Sequence, residues 1–170
     1  STGADAVKFQ TFTAEELVYP EAPSAEHHVA NVHSDISHFE LLKKLELPFE
    51  FFAELKSYVE SKGLIFISTP YDIPSAEYLG SIEVACVKMA SGELTNFPLV
   101  DAVIGLDLPV IFSTGMNAMD TVRTVVDKFA VHGCRPAILK CTSNYPVDLE
   151  NVNLRGITTL RREFPENVIG

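Results

Sequence analysis

Apolar residues fall in five short runs, and each run stops at a cluster of polar, reactive side chains. The runs are Val7-Lys8-Phe9-Gln10-Thr11, Ile65-Phe66-Ile67-Ser68-Thr69-Pro70, Val84 to Val87 leading into Lys88-Met89-Ala90-Ser91-Gly92-Glu93, Val110-Ile111-Phe112-Ser113-Thr114-Gly115, and Ile138-Leu139-Lys140-Cys141-Thr142-Ser143-Asn144-Tyr145. Their length and composition predict strands near 5–10, 64–68, 84–89, 109–114 and 137–141, with a further strand beginning at 168–170. Helical patterns lie between them. Ser37-His38-Phe39-Glu40 reads as a capping box opening a helix through Leu45. Pro48 opens the next helix, whose Phe51, Phe52, Leu55, Tyr58 and Val59 recur at helical spacing until Gly63. Asn117 is placed to cap a helix carrying Val122, Val125, Val126 and Phe129, closed by Gly133. Val152, Leu154, Ile157, Leu160 and Phe164 make one more apolar stripe.

From the second strand onward the strand starts are roughly 20 to 30 residues apart, the length of a βα unit. Two α/β architectures use such units, an open doubly wound sheet and a closed (β/α)8 TIM barrel. Polar residues end all five runs, whereas only strands beside the switch point of a doubly wound sheet face its ligand. The barrel is therefore expected. Alternation agrees, since Ala6, Lys8 and Gln10 share one face of their strand and Val7 and Phe9 the other. The first gap alone is long, and residues 18–35 read as an extended loop with prolines, adjacent His27 and His28, and few aliphatics. Ser1 to Asp5 run straight into the first strand, and Asn167 to Gly170 begin one with no continuation. About six strands do not close an eight-stranded barrel, so residues 1–170 are expected to be the central part of a larger barrel domain, truncated at both ends.

The chain's 170 residues, 46% hydrophobic and 21% charged, suit one globular domain with a core. No apolar run approaches the roughly 20 residues of a membrane span. A net charge of −10 argues against nucleic acid or a membrane surface as partner. It also gives the strand-end lysines a meaning: an anionic substrate would need a local positive pocket, and Lys8, Lys88 and Lys140 are placed to make one. Cys86, Cys134 and Cys141 show no metal-ligand spacing and read as reduced thiols of a cytoplasmic protein. His27, His28, His33, His38 and His132 likewise form no ligand set, so no metal ligand is assigned within the chain.

Gly3 to Thr11, Phe66 to Tyr71, Lys88 to Glu93, Phe112 to Met116 and Lys140 to Pro146, continued by Asn153-Leu154-Arg155 and Phe164-Pro165, occur in an order and spacing that resembles the sialic acid synthase family. That family makes N-acetylneuraminate and its bacterial relatives legionaminate and pseudaminate. The resemblance covers nearly the whole chain and is weakest between 18 and 35. It implies a TIM-barrel enzyme that condenses phosphoenolpyruvate with the open-chain aldehyde of an N-acylated mannosamine-type sugar, phosphate leaving by C–O cleavage. It implies phosphoenolpyruvate contacts at Lys88, Ser91 and Ser113, with Lys8, Thr69, Glu93 and Tyr145 lining the sugar and reaction centre. On this reading Glu93, Lys8 and Tyr145 are catalytic, and Gln10 and Ser143 join the substrate-binding set. A divalent metal, Mn2+ or Mg2+, is implied, with its ligands outside this chain. So are a C-terminal antifreeze-like domain beyond it and a homodimer of the full-length protein. The fragment alone is then expected to be inactive.

The chemistry suits these residue types. Phosphate and carboxylate charges need cations and hydroxyl donors in a dry pocket, and a carboxylate such as Glu93 can move protons there. Blander roles exist for each residue: snorkelling for the lysines, a helix cap for Glu93, turns for Ser91, Ser113 and Thr69, loop packing for Tyr145, and a buried small side chain for Cys141. Two other functions fit the residues, a Schiff-base aldolase or lyase using Lys88 or Lys8, and a non-catalytic module that keeps a sugar-phosphate pocket.

Overall fold

A computed structural model describes residues 3–22, 36–144 and 146–170. Five strands, β1 (Ala6–Thr11), β2 (Ile65–Pro70), β3 (Cys86–Met89), β4 (Val110–Ser113) and β5 (Ala137–Leu139), form one parallel sheet in the order β1-β2-β3-β4-β5. Every strand lies beside its predecessor, so the sheet has no switch point. That excludes the doubly wound alternative and leaves consecutive units of a (β/α)8 barrel. The expected sixth strand begins where the sequence placed it. Ile169 bridges Ile138 in parallel, and the Ile138 and Lys140 amides donate to the Val168 and Gly170 carbonyls at 2.8 Å.

Seven helices separate the strands among the described residues: α1 (Ala14–Leu17), α2 (His38–Leu45), α3 (Phe49–Ser61), α4 (Ile73–Ser81), α5 (Phe97–Gly105), α6 (Met119–Val131) and α7 (Gly156–Glu163). The capping box on α2 is complete: the Glu40 amide donates to Ser37 Oγ at 3.1 Å and the Ser37 amide to Glu40 Oε2 at 2.9 Å. Gly63 and Gly133 follow α3 and α6 with φ of +73° and +74°, the left-handed conformation that ends a helix and that glycine adopts without steric cost. Helices α4 and α5 carry a signal that periodicity alone does not show, an Asx cap two residues before a proline. Asp72 Oδ1 accepts from the Ser75 amide and Asn96 Oδ1 from the Leu99 amide, with Pro74 and Pro98 in the first turns.

Three expectations are corrected. Asn117 does not cap α6; the cap position is Ala118, and the Asn117 side chain is engaged elsewhere. On α3 the stripe is wider than the buried face: Phe52 and Val59 are buried, whereas Phe51 and Tyr58 are exposed. Leu154 precedes α7 and is exposed, leaving Leu160 and Phe164 as the anchors of that segment. Residues 23–35, most of the expected long loop, lie outside the described residues.

Parallel register sorts the strands into two faces. Phe66, Val87, Met89, Phe112 and Ile138 point one way and are buried in the core with Phe52, Leu79, Leu99, Val125 and Phe129 of the helices. Lys8 pairs with Ile67, Gln10 with Thr69, Ile67 with Cys86, and Lys88 with Ile111, so these side chains share the opposite face, as does Ser113. The core thus lies wholly between sheet and helices, and the other face is left to chemistry.

Candidate active site at the carboxyl ends of the strands

Lys88, half-buried on β3, organises the open face. Its ammonium donates to Ser113 Oγ at 2.6 Å and to the Met89 carbonyl at 2.8 Å. Burial, and then the charge of Lys8, lower its pKa to about 8. No carboxylate pairs with Lys8, Lys88 or Lys140 among the described residues, although surface cations such as Lys43, Lys128 and Arg123 all have acidic partners. A half-buried ammonium repelled by a second, exposed one, in a chain of net charge −10, is an arrangement that an anion would stabilise.

The loops after β3, β4 and β5 meet beside Lys88. A Cβ built on Gly115 would stand 2.6 Å from Ser143 Oγ, 3.0 Å from Cys141 Sγ and 3.3 Å from Ser91 Oγ, so only glycine leaves these side chains their places. Ser91, Ser113 and Ser143, expected as substrate contacts, are therefore brought together with Lys88. Cys141 joins them and is half-buried, not the fully buried small residue expected. At the other side of the face the Gln10 amide donates to the Tyr71 hydroxyl at 2.7 Å. Thr69 is buried between them and Lys88, one residue beyond Ser68, which shares a 2.7 Å hydrogen bond with Thr11.

Glu93 lies in a 3₁₀ turn spanning Ser91–Thr95. Its Oε2 accepts from the Asn96 amide at 3.0 Å, and Asn96 is the residue that caps α5. The direct cap role is thus excluded for Glu93, which makes no ion pair with the strand-end lysines. Lys140 serves structure: it donates to Thr142 Oγ1 at 2.5 Å and to the Val152 carbonyl, clamping the segment that leads into α7. Tyr145 lies outside the described residues, as do His27, His28 and His33. His132 contacts the Lys128 carbonyl at the end of α6. Among the described residues no group of three or more His, Cys, Asp or Glu could hold a metal ion. Sequence reasoning missed Asn117 and Asp72. The half-buried Asn117 amide donates to the Ser91 and Gly115 carbonyls, both at 2.6 Å, and Asp72 Oδ2 accepts from the Thr13 amide at 3.0 Å while its other oxygen caps α4. Both sit in polar clusters directly after strands; the sequence pattern reads Asn117 as a helix cap and gives Asp72 no role.

A cavity of about 380 Å3 lies away from this site. It is lined by Val126, Cys134, Arg135, Phe164 and Asn167, around the loops that enter β5 and the sixth strand.

Fold and site together define a parallel-barrel enzyme domain with its polar groups at the carboxyl ends of the strands. The chain belongs to the NeuB family, which it matches over residues 1–170. It is 39% identical over 168 residues to the N,N'-diacetyllegionaminic acid synthase of Legionella pneumophila, covering 96% of this chain and 47% of that one. Among solved structures, the N-acetylneuraminic acid synthetase of Leptospira borgpetersenii in complex with citrate superposes with a TM-score of 0.82 at 30% identity, over 98% of this chain and 53% of that one. The spore coat polysaccharide biosynthesis protein SpsE of Bacillus subtilis gives 0.78 at 37%, over 99% and 44%. The chain spans about half the length of these relatives.

Proposed function

We propose that the whole protein condenses phosphoenolpyruvate with an N-acylated mannosamine-type sugar to give a nonulosonic, sialic-type acid and phosphate. The observation that carries the reading is the Lys88–Ser113 pair beside Lys8, two cations without carboxylate partners among the described residues, on the open face of a NeuB-family sheet. Names of the relatives as legionaminic and N-acetylneuraminic acid synthases supply the reaction class.

In this reading Lys88, Ser91 and Ser113 hold the anionic groups of phosphoenolpyruvate, with Ser143 closing the same corner. An anion there relieves both causes of the lowered Lys88 pKa, because it replaces lost solvation and offsets Lys8. Lys8, Gln10 and Thr69 line the sugar side, and the resemblance assigns Tyr145 a role there as well. The methylene carbon of phosphoenolpyruvate bonds to the aldehyde carbon, and the aldehyde oxygen takes a proton. Water adds at C2 and gives up one proton, and the resulting C2 hydroxyl gives up the second as phosphate leaves with the electrons of its C–O bond, so one proton ends on the aldehyde oxygen and one on phosphate. Glu93 is the group assigned to these proton movements, and its bond from Asn96 fixes one carboxylate oxygen while leaving the other available.

The reaction class also implies Mn2+ or Mg2+. The described residues do not fit such a site, so its ligands are assigned outside them and no step here depends on the ion. We further read residues 1–170 as the central part of the barrel, with an antifreeze-like domain elsewhere in a homodimeric, cytoplasmic protein. The greater length of the relatives and three free cysteines support that reading. No helix described is long and apolar enough to cross a membrane.

A lysine of lowered pKa beside a second cation also suits Schiff-base chemistry, so the test separates the two. Full-length protein with phosphoenolpyruvate, an N-acylmannosamine and Mn2+ should release phosphate in step with sugar-acid formation. Borohydride with pyruvate should then leave Lys88 unmodified by mass spectrometry. No product, or a borohydride-trapped adduct on Lys88, would replace the synthase by the lyase or the binding module.

A further inference from the structure

We propose that Asn117 and Gly115 form a clasp that sets the spacing of the anion-holding hydroxyls, making Asn117 a positioning residue for phosphoenolpyruvate. The inference rests on the proposed function and adds to it a residue that contacts no substrate.

Asn117 bonds the loop after β3 to the loop after β4. Both hydrogens of its amide are committed, one to the Ser91 carbonyl and one to the Gly115 carbonyl, each at 2.6 Å. Both partners only accept, so an oxygen in place of this nitrogen would face two oxygens. The bond to Gly115 spans Met116, whose φ of +64° is a left-handed conformation that a non-glycine residue holds at some cost. Asn117 therefore braces a strained turn at the point where three loops meet.

Gly115 supplies the rest of the clasp. Ser91 Oγ, Ser143 Oγ and Cys141 Sγ converge on the space its missing side chain leaves. Ser113, the partner of Lys88, is two residues before Gly115 on the same strand end. Holding the Ser91 and Gly115 carbonyls together thus fixes Ser91 and Ser143 relative to the Lys88–Ser113 pair. A displacement of about an ångström at such a site costs affinity without touching the ligand. Asn117 also borders a depression of about 300 Å3 shared with Val122 and Thr159, which gives a smaller side chain room to be hydrated without distorting α6.

The test uses the full-length enzyme with Asn117→Asp, nearly isosteric but unable to donate, and Asn117→Ser, which is too short to reach both carbonyls. Loss of two hydrogen bonds that act only through geometry is expected to raise KM for phosphoenolpyruvate about 10-fold in Asn117→Asp and less in Asn117→Ser. KM for the amino sugar should stay within about twofold in both. Unchanged KM for phosphoenolpyruvate in either folded variant overturns the clasp, as does an equal rise for both substrates, which would mark general loosening. Lys88→Met measured alongside separates the two readings. If it leaves phosphoenolpyruvate binding intact, the proposed site itself fails. If it weakens binding and Asn117→Asp does not, the clasp alone fails.

Discussion

The same five strands present two opposite surfaces. On the helix side Phe66, Val87, Met89, Phe112 and Ile138 are almost fully buried and carry no polar atom beyond the backbone. On the open side, one residue away along each strand, stand Lys8, Thr69, Lys88 and Ser113, separated by Ile67, Cys86 and Ile111. A period of two lets a parallel strand spend alternate residues on stability and on chemistry, and a one-residue slip would exchange the two roles. The covered face therefore tolerates only changes of shape at a cost in stability. The open face keeps a half-buried lysine, Lys88, beside the exposed Lys8, the two mutually repelling and neither with a carboxylate partner among the described residues. Residues at its rim should fail in activity while the protein stays folded.

The comparison is tested most severely by Glu93→Gln in the full-length enzyme. As proton carrier its loss should lower kcat by about 10²–10⁴ with KM values nearly unchanged. Because glutamine can still accept the bond from Asn96, the melting temperature should hold; near-normal kcat with a lower melting temperature would make Glu93 a support for the α5 cap and nothing more. Phe112→Ala, on the covered face, should cost about 3–5 kcal/mol of unfolding free energy, read by urea titration, because its ring is fully buried and the site cannot collapse around the void. Turnover per folded molecule should survive it. A large fall in kcat with stability intact would mean the two faces are not separable. Lys88→Met should reverse that pattern, lowering kcat/KM about 30- to 1000-fold, some 2–4 kcal/mol of lost anion contact. Its thermal stability should be unchanged or higher, since the substitution removes a desolvated cation.

Much of this division could be read from the chain beforehand, for a physical reason. Short apolar runs ending in Lys, Ser and Thr report the strand and its polar end, so local pattern places Lys8, Thr69, Lys88, Ser91 and Ser113 at strand ends, while their roles toward substrate come from the resemblance. What stayed hidden was pairwise. Asn117 sits at a good helix-capping position, and only the loop geometry shows that its amide faces two carbonyls from different strands. The apolar spacing on α3 does not reveal that Phe51 and Tyr58 lie outside the buried stripe, because helical periodicity alone does not say how wide the covering surface is. Lys140 resembles Lys88 in sequence, a lysine at the end of an apolar run, yet the carbonyl of Val152, twelve residues on, commits it to structure. Nothing local distinguishes the two lysines.

That contrast yields the smallest expected effect, a pH dependence confined to Lys88. In the free protein its pKa is lowered to about 8, first by burial and then by Lys8. On the proposed function phosphoenolpyruvate would bind the ammonium form, so affinity should be full below about pH 8 and decline as pH rises through that value. The decline should approach tenfold per pH unit and level off only where the bound complex itself loses the proton. Binding near pH 8 should accordingly take up protons from the buffer, measurable as a buffer-dependent heat. The fold responds with the opposite sign. An unfolded lysine keeps its proton to higher pH, so between about 8 and the ordinary lysine range the unfolded chain binds more protons and stability from this group rises with pH. Lys8→Met should shift the break in KM upward by removing one cause of the lowered pKa, even as it weakens binding overall. If KM for phosphoenolpyruvate is flat from pH 7 to about 9.5, Lys88 does not carry the anion, and the open face must use another cation.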